Sequence, residues 1–320
     1  VFETAIARLE RAEAAKAFAS GMGAVAATMG ALLSAGDHLL FVNQTYGPTL
    51  QLARRLGRQG IEHDLVLDLD LESIAAAFRP TTRMVWMESP GTMLFRTFDV
   101  RAVAAMARER DAVSVLDNSW ATPLLQKPLT FAVDLAVHSA TKYLAGHCDL
   151  VAGVLAGRDE LVTRIFRDGY LLQGASLAPF DGFLLLRGMR TLPLRMRRHH
   201  ESGLAVARWL AEQPRVRHVF HPGLAGDSGG GSLTGYSGLF SFQLDTEDPA
   251  VVRRFVDALN PFRIGISWGG VESLVFAPLP RDGGSLRAQR IPLGLVRLSI
   301  GLEPVGRLLD GLETALQTSS

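Results

Sequence analysis

The sequence predicts an α/β protein in which a mostly parallel central sheet is followed by a smaller C-terminal α+β domain. In the first half of the chain, short apolar runs alternate with helical segments, a pattern typical of a parallel sheet covered by helices on both faces. After Gly157 longer helices follow one another, and beyond Pro214 come short strands without that alternation. We therefore expect one domain over residues 1–188 and a second over residues 189–320.

The elements follow from apolar periodicity and from turn residues. Strands are predicted at residues 14–19, 38–42, 62–67, 83–87, 112–116, 134–137 and 150–155, and in the second domain at 216–220, 239–244, 274–276 and 295–300. Helices are predicted at residues 2–9, 71–78, 99–110, 159–167, 179–186, 192–212, 249–259 and 304–317, with two more that end at Leu33 and Leu56. The Gly- and Ser-rich stretch 223–238 is predicted to be a mobile surface loop.

Composition excludes several classes of protein. Lys and Arg total 33 against 32 Asp and Glu, so the net charge of +1 gives no electrostatic case for binding nucleic acid or an anionic membrane. The single cysteine, Cys148, excludes an internal disulfide and a cysteine-based metal cluster. No apolar run approaches the roughly 18 residues of a membrane span, and no signal peptide opens the sequence. We expect a cytoplasmic protein, and because Val1 is not an initiator we expect a segment upstream of it.

Lys142 lies where two predicted strands, 134–137 and 150–155, meet. Strand ends joined by small polar residues are where α/β proteins place side chains that contact ligands. A lysine shielded from water there can have a depressed pKa and attack a carbonyl. Lys142 is therefore a candidate Schiff-base lysine, and the alternative is an ordinary solvated turn lysine.

Two further charged residues are placed in apolar surroundings. Asp117 directly follows the buried run AVSVL, so it needs a cationic partner or several hydrogen bonds, unless it is simply a helix N-cap. Arg297 lies inside the apolar strand 295–300, where its planar fork suits a carboxylate. That carboxylate is either a ligand or the partner in a structural salt bridge.

The turn Ser20-Gly-Met-Gly23 follows a predicted strand and opens a helix. Free backbone N–H groups and the positive end of the helix dipole converge at such a place, which suits a phosphate, although ordinary loops have the same pattern. Tyr46 follows the next strand and either stacks on a flat ligand or packs in the core.

A basic run in the long helix 192–212 contains Arg195, Arg197, Arg198, His199 and His200. Its alternation with apolar residues indicates an amphipathic helix with a solvated basic face, and not a nucleic-acid site. The two histidines are adjacent and cannot share a metal on one helix face, so we expect no metal.

Pyridoxal phosphate chemistry uses all of these parts. It needs a lysine for the imine, a carboxylate that keeps the pyridine nitrogen protonated, an aromatic that stacks on the ring, a helix N-terminus for the phosphate, and an arginine for the substrate carboxylate. Each has a candidate in this sequence.

The motifs around these residues resemble one family over nearly the whole chain. They are DNSW from Asp117, HSATKYLAGHCD around Lys142, RGMRTLPLRMRRHHES, SGLFSF, SWGGVESL and VRLSIGLE. They are similar to the Cys/Met-metabolism family of pyridoxal-phosphate enzymes, and within it to the bacterial β-lyases that cleave cystathionine. The resemblance implies the aspartate aminotransferase-like fold (fold type I) and a homotetramer, a dimer of dimers with shared active sites.

The resemblance also implies a role for each site residue. Lys142 holds the cofactor and moves the substrate Cα proton, Asp117 pairs with the pyridinium nitrogen, and Tyr46 stacks on the ring. The phosphate is bound by the amides of Gly21 and Met22 and the hydroxyls of Ser139 and Thr141. The amino-acid substrate is bound through its α-carboxylate by Arg297 and Ser267, and Trp268 lines its pocket.

Within the family, Trp268 and the turn Glu88-Ser-Pro-Gly resemble the β-lyases, which release pyruvate, ammonia and a thiol such as homocysteine. The alternatives are a member that acts at Cγ and a homologue without catalysis. Three departures from the family pattern are the absence of the upstream Tyr-x-Arg segment, Ile266 in place of a tyrosine, and Cys148 in place of a serine.

Overall fold

A computed structural model describes residues 1–225, 230–278 and 288–318 of the chain. It confirms the predicted fold class, because a seven-stranded, mostly parallel sheet with helices on both faces is followed by a five-stranded sheet. In the described ranges, no helix has both the length and the apolar character needed to cross a membrane.

The first sheet is built from β1 (Ala14–Phe18), β2 (His38–Val42), β3 (Glu62–Val66), β4 (Thr82–Met87), β5 (Val113–Asp117), β6 (Leu135–His138) and β7 (Gly153–Gly157). In space their order is β1-β7-β6-β5-β4-β2-β3. Neighbours from β3 across to β6 are parallel, whereas β7 is antiparallel to both β6 and β1. The loop that carries Lys142, the lysine loop (residues 139–152), therefore connects two adjacent antiparallel strands.

Helices cover both faces of this sheet. They include α1 (Phe2–Glu10), α2 (Gly21–Leu32), α3 (Gly47–Gly57), α4 (Leu71–Ala76), α5 (Val100–Arg108), α6 (Thr122–Leu125), α7 (Asp159–Arg164), α8 (Leu171–Gln173) and α9 (Pro179–Met189). Alternate residues of β2 serve opposite cores: Leu39 and Phe41 pack in one cluster, and Leu40 and Val42 in another. A strand buried on both faces is a continuous apolar run, as the sequence HLLFV shows.

The second unit begins with the long helix α10 (Leu192–Ala211) and continues through β8 (Val216–Phe220), α11 (Pro222–Ala225), β9 (Leu239–Leu244), α12 (Pro249–Ala258), β10 (Arg263–Ile264), β11 (Leu274–Phe276), β12 (Leu295–Ser299) and α13 (Val305–Thr318). Its sheet has the order β10-β11-β12-β9-β8 and is antiparallel except between β10 and β11. Phe240, Phe242 and Phe255 lie in its core. The division after residue 188 stays a proposal.

Three sequence-based expectations differ from the structure. The face of α10 that was predicted to be solvated is partly buried, because Arg195 and His199 point into the protein. Strand β7 begins at Gly153 and not at residue 150, since the preceding residues close the lysine loop through bonds between Thr141 and Ala152. In the predicted surface loop, residues 226–229 lie outside the described residues, and Ser232 and Ser237 are buried.

Candidate active site

A cavity of about 600 Å³ lies between the two units and is lined by every residue predicted for the site. These residues are Gly21, Met22, Tyr46, Asp117, Ser139, Thr141, Lys142, Ser267, Trp268 and Arg297. Most of them reach it from one edge of the first sheet, because polar residues that follow parallel strands gather at their carboxyl ends. The sequence could not show that Asp117, Ser139 and Tyr46 share that edge, but the register of β2, β4, β5 and β6 does.

Lys142 is half-buried and reaches across the cavity to the second unit. Its Nζ donates to Ser267 Oγ at 2.8 Å and lies 5.5 Å from the centre of the Trp268 ring. Burial, and then the positive charge of Arg297, lower the pKa of Lys142 to about 8. A substantial share of the amine is therefore neutral near physiological pH, which is the state that attacks a carbonyl. The alternative of a fully solvated turn lysine is wrong.

Asp117 ends β5 at the floor of the cavity. Its Oδ1 accepts a hydrogen bond from the Ser119 amide at 3.0 Å, and it caps no helix, since α6 begins after Ala121. Burial raises the pKa of Asp117, while the Ser119 bonds and the charges of His138 and Lys142 act in the opposite direction. A cation placed at its carboxylate would therefore be strongly favoured.

Glu88 is another buried carboxyl group, and like Asp117 it directly follows a predicted strand. It follows β4, and its Oε1 accepts from the Tyr46 amide at 2.7 Å. Burial and the nearby charge of Asp117 raise the pKa of Glu88 well above its usual range. Its place directly after a strand, the same position that identified Asp117, is visible in the sequence, but that position alone gave Glu88 no role at the site.

The N-terminus of α2 forms a narrow, donor-rich corner. Ser20 caps the helix by accepting from the Gly23 amide at 2.9 Å. The amides of Gly21 and Met22 have no acceptor within the helix, because no helical carbonyl precedes them. Glycine is needed at position 153, where a Cβ would lie 2.2 Å from Ser20 O, and the fit at Gly21 is tight, since a Cβ there would lie 3.1 Å from Ser139 Oγ. A compact anion fits such a corner better than any side chain.

Two hydroxyl groups near this corner differ in their partners. Thr141 Oγ1 is already bonded to the backbone of Ala152, donating to its carbonyl at 3.1 Å and accepting from its amide at 3.0 Å. Ser139 uses its amide, which donates to Ser119 Oγ at 2.6 Å. Of the two predicted phosphate ligands, Ser139 therefore has the freer hydroxyl.

Tyr46 immediately precedes α3 at the mouth of the cavity. It is 49% exposed, so core packing does not account for it. An exposed aromatic ring above a cavity is available to stack on a flat ligand.

Arg297 is buried in β12 on the opposite wall. Its Nη2 donates to Ile266 O at 2.6 Å, its Nη1 lies 3.8 Å from Met93 Sδ, and its Cζ lies 5.1 Å from the Phe276 ring centre. In the described part of the chain it has no carboxylate partner, so the structural salt bridge is not found. Burial lowers the pKa of Arg297 to about 10, which leaves it positively charged at neutral pH. A buried cation on a cavity wall is suited to a ligand carboxylate.

The segment before Gly269 carries the other contacts from the second unit. Trp268 packs against Tyr143 with ring centres 5.3 Å apart, and Ile266 is 70% exposed. Cys148 is exposed, with its Sγ 3.7 Å from Glu272 Oε2. Among the described residues, no group of His, Cys, Asp and Glu is arranged to bind a metal ion.

These groups fit pyridoxal phosphate. The glycine-lined corner at α2 suits its phosphate, the buried Asp117 carboxylate suits a protonated ring nitrogen, and the amine of Lys142 suits its aldehyde. Arg297 is left to bind an anion that the cofactor does not supply. The cavity can therefore hold this cofactor together with an amino acid.

Comparison with known proteins also points to pyridoxal phosphate as the cofactor. The family model described as Cys/Met metabolism PLP-dependent enzyme matches residues 1–317. The chain is 40% identical over 331 residues to the L-methionine gamma-lyase of Pseudomonas putida, which covers 100% of this chain and 83% of the relative. It is 37% identical over 328 residues to the cystathionine beta-lyase of Lactococcus lactis subsp. cremoris, covering 98% and 85%. The crystal structure of cystathionine gamma synthase from Xanthomonas oryzae pv. oryzae in complex with cystathionine has a TM-score of 0.93 and 36% identity, covering 99% of this chain and 84% of that one.

Proposed function

Because the chain belongs to the Cys/Met metabolism family of PLP-dependent enzymes, we propose that it is a carbon–sulfur β-lyase acting on cystathionine or a related S-substituted cysteine. Pyridoxal phosphate is its cofactor, and its substrate is an amino acid. The relatives divide among β-lyase, γ-lyase and γ-synthase at similar identity, so the choice among these reactions needs a structural argument.

The observation that carries the proposal is the position of Trp268. Its ring centre lies 5.5 Å from Lys142 Nζ, and it is fixed there by packing on Tyr143. An enzyme that acts at Cγ must also remove a proton from Cβ, which requires room for a base to move beside that carbon. We infer that the indole next to the amine leaves little of that room, whereas β-elimination needs only the proton of Cα. The turn at Glu88 also resembles the β-lyases.

In this proposal each residue has a defined task. When bound, pyridoxal phosphate withdraws electrons from the substrate Cα and so makes its proton acidic. Lys142 Nζ would hold the cofactor through its aldehyde carbon; once the substrate's amino group replaces it at that carbon, the freed amine of Lys142 would take the Cα proton. Asp117 keeps the ring nitrogen protonated by an ion pair, and Tyr46 stacks on the ring.

The remaining residues hold anions and orient the substrate. The amides of Gly21 and Met22 bind the phosphate together with the hydroxyl of Ser139, and Thr141 joins them when its hydroxyl turns from the Ala152 carbonyl to the phosphate. Arg297, assisted by Ser267, binds the α-carboxylate. This orients the Cα–H bond toward Lys142, and the C–S bond at Cβ then breaks with the electron pair leaving on sulfur. Cystathionine and water thus yield homocysteine, pyruvate and ammonia.

The test is to supply cystathionine to the cofactor-loaded enzyme and to identify the keto acid by mass spectrometry. Pyruvate is the expected product, and Lys142→Ala is expected to release none even if it still binds some cofactor. 2-Oxobutyrate would contradict the β-lyase assignment and favour the γ-acting alternative, which the 40% identity to a γ-lyase supports. If no band in the violet appears on adding pyridoxal phosphate, and Lys142→Ala looks the same, the chain is a homologue without catalysis.

Two predictions concern the whole protein. A homotetramer of paired dimers and a cytoplasmic location both stay predictions. Light scattering of the purified protein tests the first, and a mass other than four chains would contradict it. Cell fractionation tests the second.

A further inference from the structure

Arg195 is buried in the first turn of α10 behind the lysine loop. It is 5% exposed and has no carboxylate partner in the described ranges. Burial lowers the pKa of Arg195 to about 10, yet the group stays charged at neutral pH. A buried charge without a counter-ion is costly, and an apolar side chain of the same size often packs equally well. The presence of an arginine at this position therefore needs an explanation.

All three nitrogens of its guanidinium donate hydrogen bonds to uncharged oxygens. Nη1 donates to Tyr143 O at 2.8 Å, Nη2 donates to Gly188 O at 2.9 Å, and Nε donates to Thr191 Oγ1 at 3.0 Å. The first of these oxygens belongs to the residue directly after Lys142. The other two belong to the junction between α9 and α10, so one side chain joins the lysine loop to the start of the second unit.

The turn after the lysine is closed around this guanidinium. Gly146 has a φ of +73°, and a Cβ added to it would lie 2.0 Å from Arg195 Nη1. The Gly146 amide donates to Lys142 O at 2.8 Å. The guanidinium therefore lies directly against the turn on the C-terminal side of Lys142, in space that only a glycine at position 146 leaves open.

The opposite side of the same turn is held by other groups. The Tyr143 ring packs on His199 at 5.0 Å, and its hydroxyl accepts from the Gly238 amide at 3.2 Å. A Cβ on Gly269 would lie 2.9 Å from Tyr143 N. The residue next to Lys142 is thus held by its ring and its hydroxyl, with Gly269 close against its amide, and among the described residues Arg195 is the donor to its carbonyl.

We propose that Arg195 is a positioning residue that holds the carbonyl of Tyr143 and thereby sets the direction in which Lys142 projects into the cavity. The proposal rests on the role of Lys142 in the proposed function. Arg195 does not line the cavity, so it acts only through the backbone of the loop. Its absence leaves the fold in place but allows the amine to move away from the cofactor aldehyde.

The test measures how fast Lys142 captures the cofactor. Cofactor-free wild-type protein, Arg195→Met and the matched control Arg197→Met, whose arginine is exposed on the same helix, are mixed with pyridoxal phosphate. The product is fixed with borohydride, and the label at Lys142 is quantified by peptide mass spectrometry. Because a displacement of about 1 Å can cost on the order of 100-fold in rate, we expect a 10- to 100-fold slower labelling in Arg195→Met and the wild-type rate in Arg197→Met.

Trinitrobenzenesulfonate, which needs no fixed geometry, is expected to modify Lys142 at a similar rate in all three proteins. If Arg195→Met does not fold, Arg195→Lys replaces it, because an ammonium cannot reproduce the planar fork, and the same slow capture is expected. A folded variant that captures the cofactor at the wild-type rate would overturn the role of Arg195. Failure of the wild-type protein to label Lys142 would instead overturn the proposed function.

Discussion

The two buried arginines near Lys142, Arg195 and Arg297, differ in what their donors contact. Arg195 gives its donors to three oxygens of the protein. Arg297 lines the cavity, and among the described residues its donors reach one protein oxygen, that of Ile266, and a methionine sulfur. Neither arginine has a carboxylate partner in the described part of the chain. A buried arginine with satisfied donors holds the chain, and one with free donors at a cavity is ready to hold a ligand.

The largest effect that separates them is expected in catalysis. Arg297→Met should lower kcat/KM on the order of 100-fold or more, because losing one partner of a buried charge pair costs about 2–5 kcal/mol. The loss should lie mainly in KM, since the α-carboxylate is bound in the ground state as well. In Arg195→Met the loss should lie in kcat. Steady-state kinetics of pyruvate release measures both, and an unchanged KM in Arg297→Met would contradict its role.

For the free energy of unfolding, Arg195→Met should be the more damaging of the two substitutions. Arg195→Met leaves the carbonyls of Tyr143 and Gly188 without donors, so we expect a loss of about 1–3 kcal/mol in the free energy of unfolding. Arg297→Met removes a buried charge that has no protein counter-ion, so it should be neutral or stabilising. Urea unfolding of the cofactor-free proteins gives both values. Equal losses in the two variants would show that the contrast between them is wrong.

The smallest effect concerns the pKa of Lys142. Amine labelling of Lys142 in the cofactor-free protein should rise with pH to a plateau, with a midpoint near 8, since only the neutral amine reacts. Burial is the main cause of the lowered pKa, and the charge of Arg297 is the second. Arg297→Met should therefore move the midpoint upward and slow labelling at neutral pH, while the plateau rate stays the same. A midpoint that does not move would mean that Arg297 does not influence the amine.

Much of the site could be predicted because strand ends in parallel sheets collect ligand-binding residues. Lys142 and Asp117 were found in this way, and Arg297 was found because it interrupts an apolar strand. Periodicity failed for Arg195, since an amphipathic pattern assigns charged residues to the solvent and cannot show that backbone carbonyls lie opposite one of them. Glu88 follows a predicted strand as Asp117 does, but its own segment could not show that burial and the nearby charge of Asp117 would raise its pKa.

The seam between β1 and β7 has a consequence for how the enzyme matures. Phe18 pairs with Gly153, so the anion-binding corner at α2 and the lysine loop meet only when strands far apart in sequence have joined. Closing so long a loop costs more chain entropy than pairing β2 with β3, and we expect it to occur later. We therefore expect a nascent chain to retain the cofactor only after residue 157 has been synthesised and paired. Binding of pyridoxal phosphate during translation would therefore show that all seven strands of the first sheet have paired.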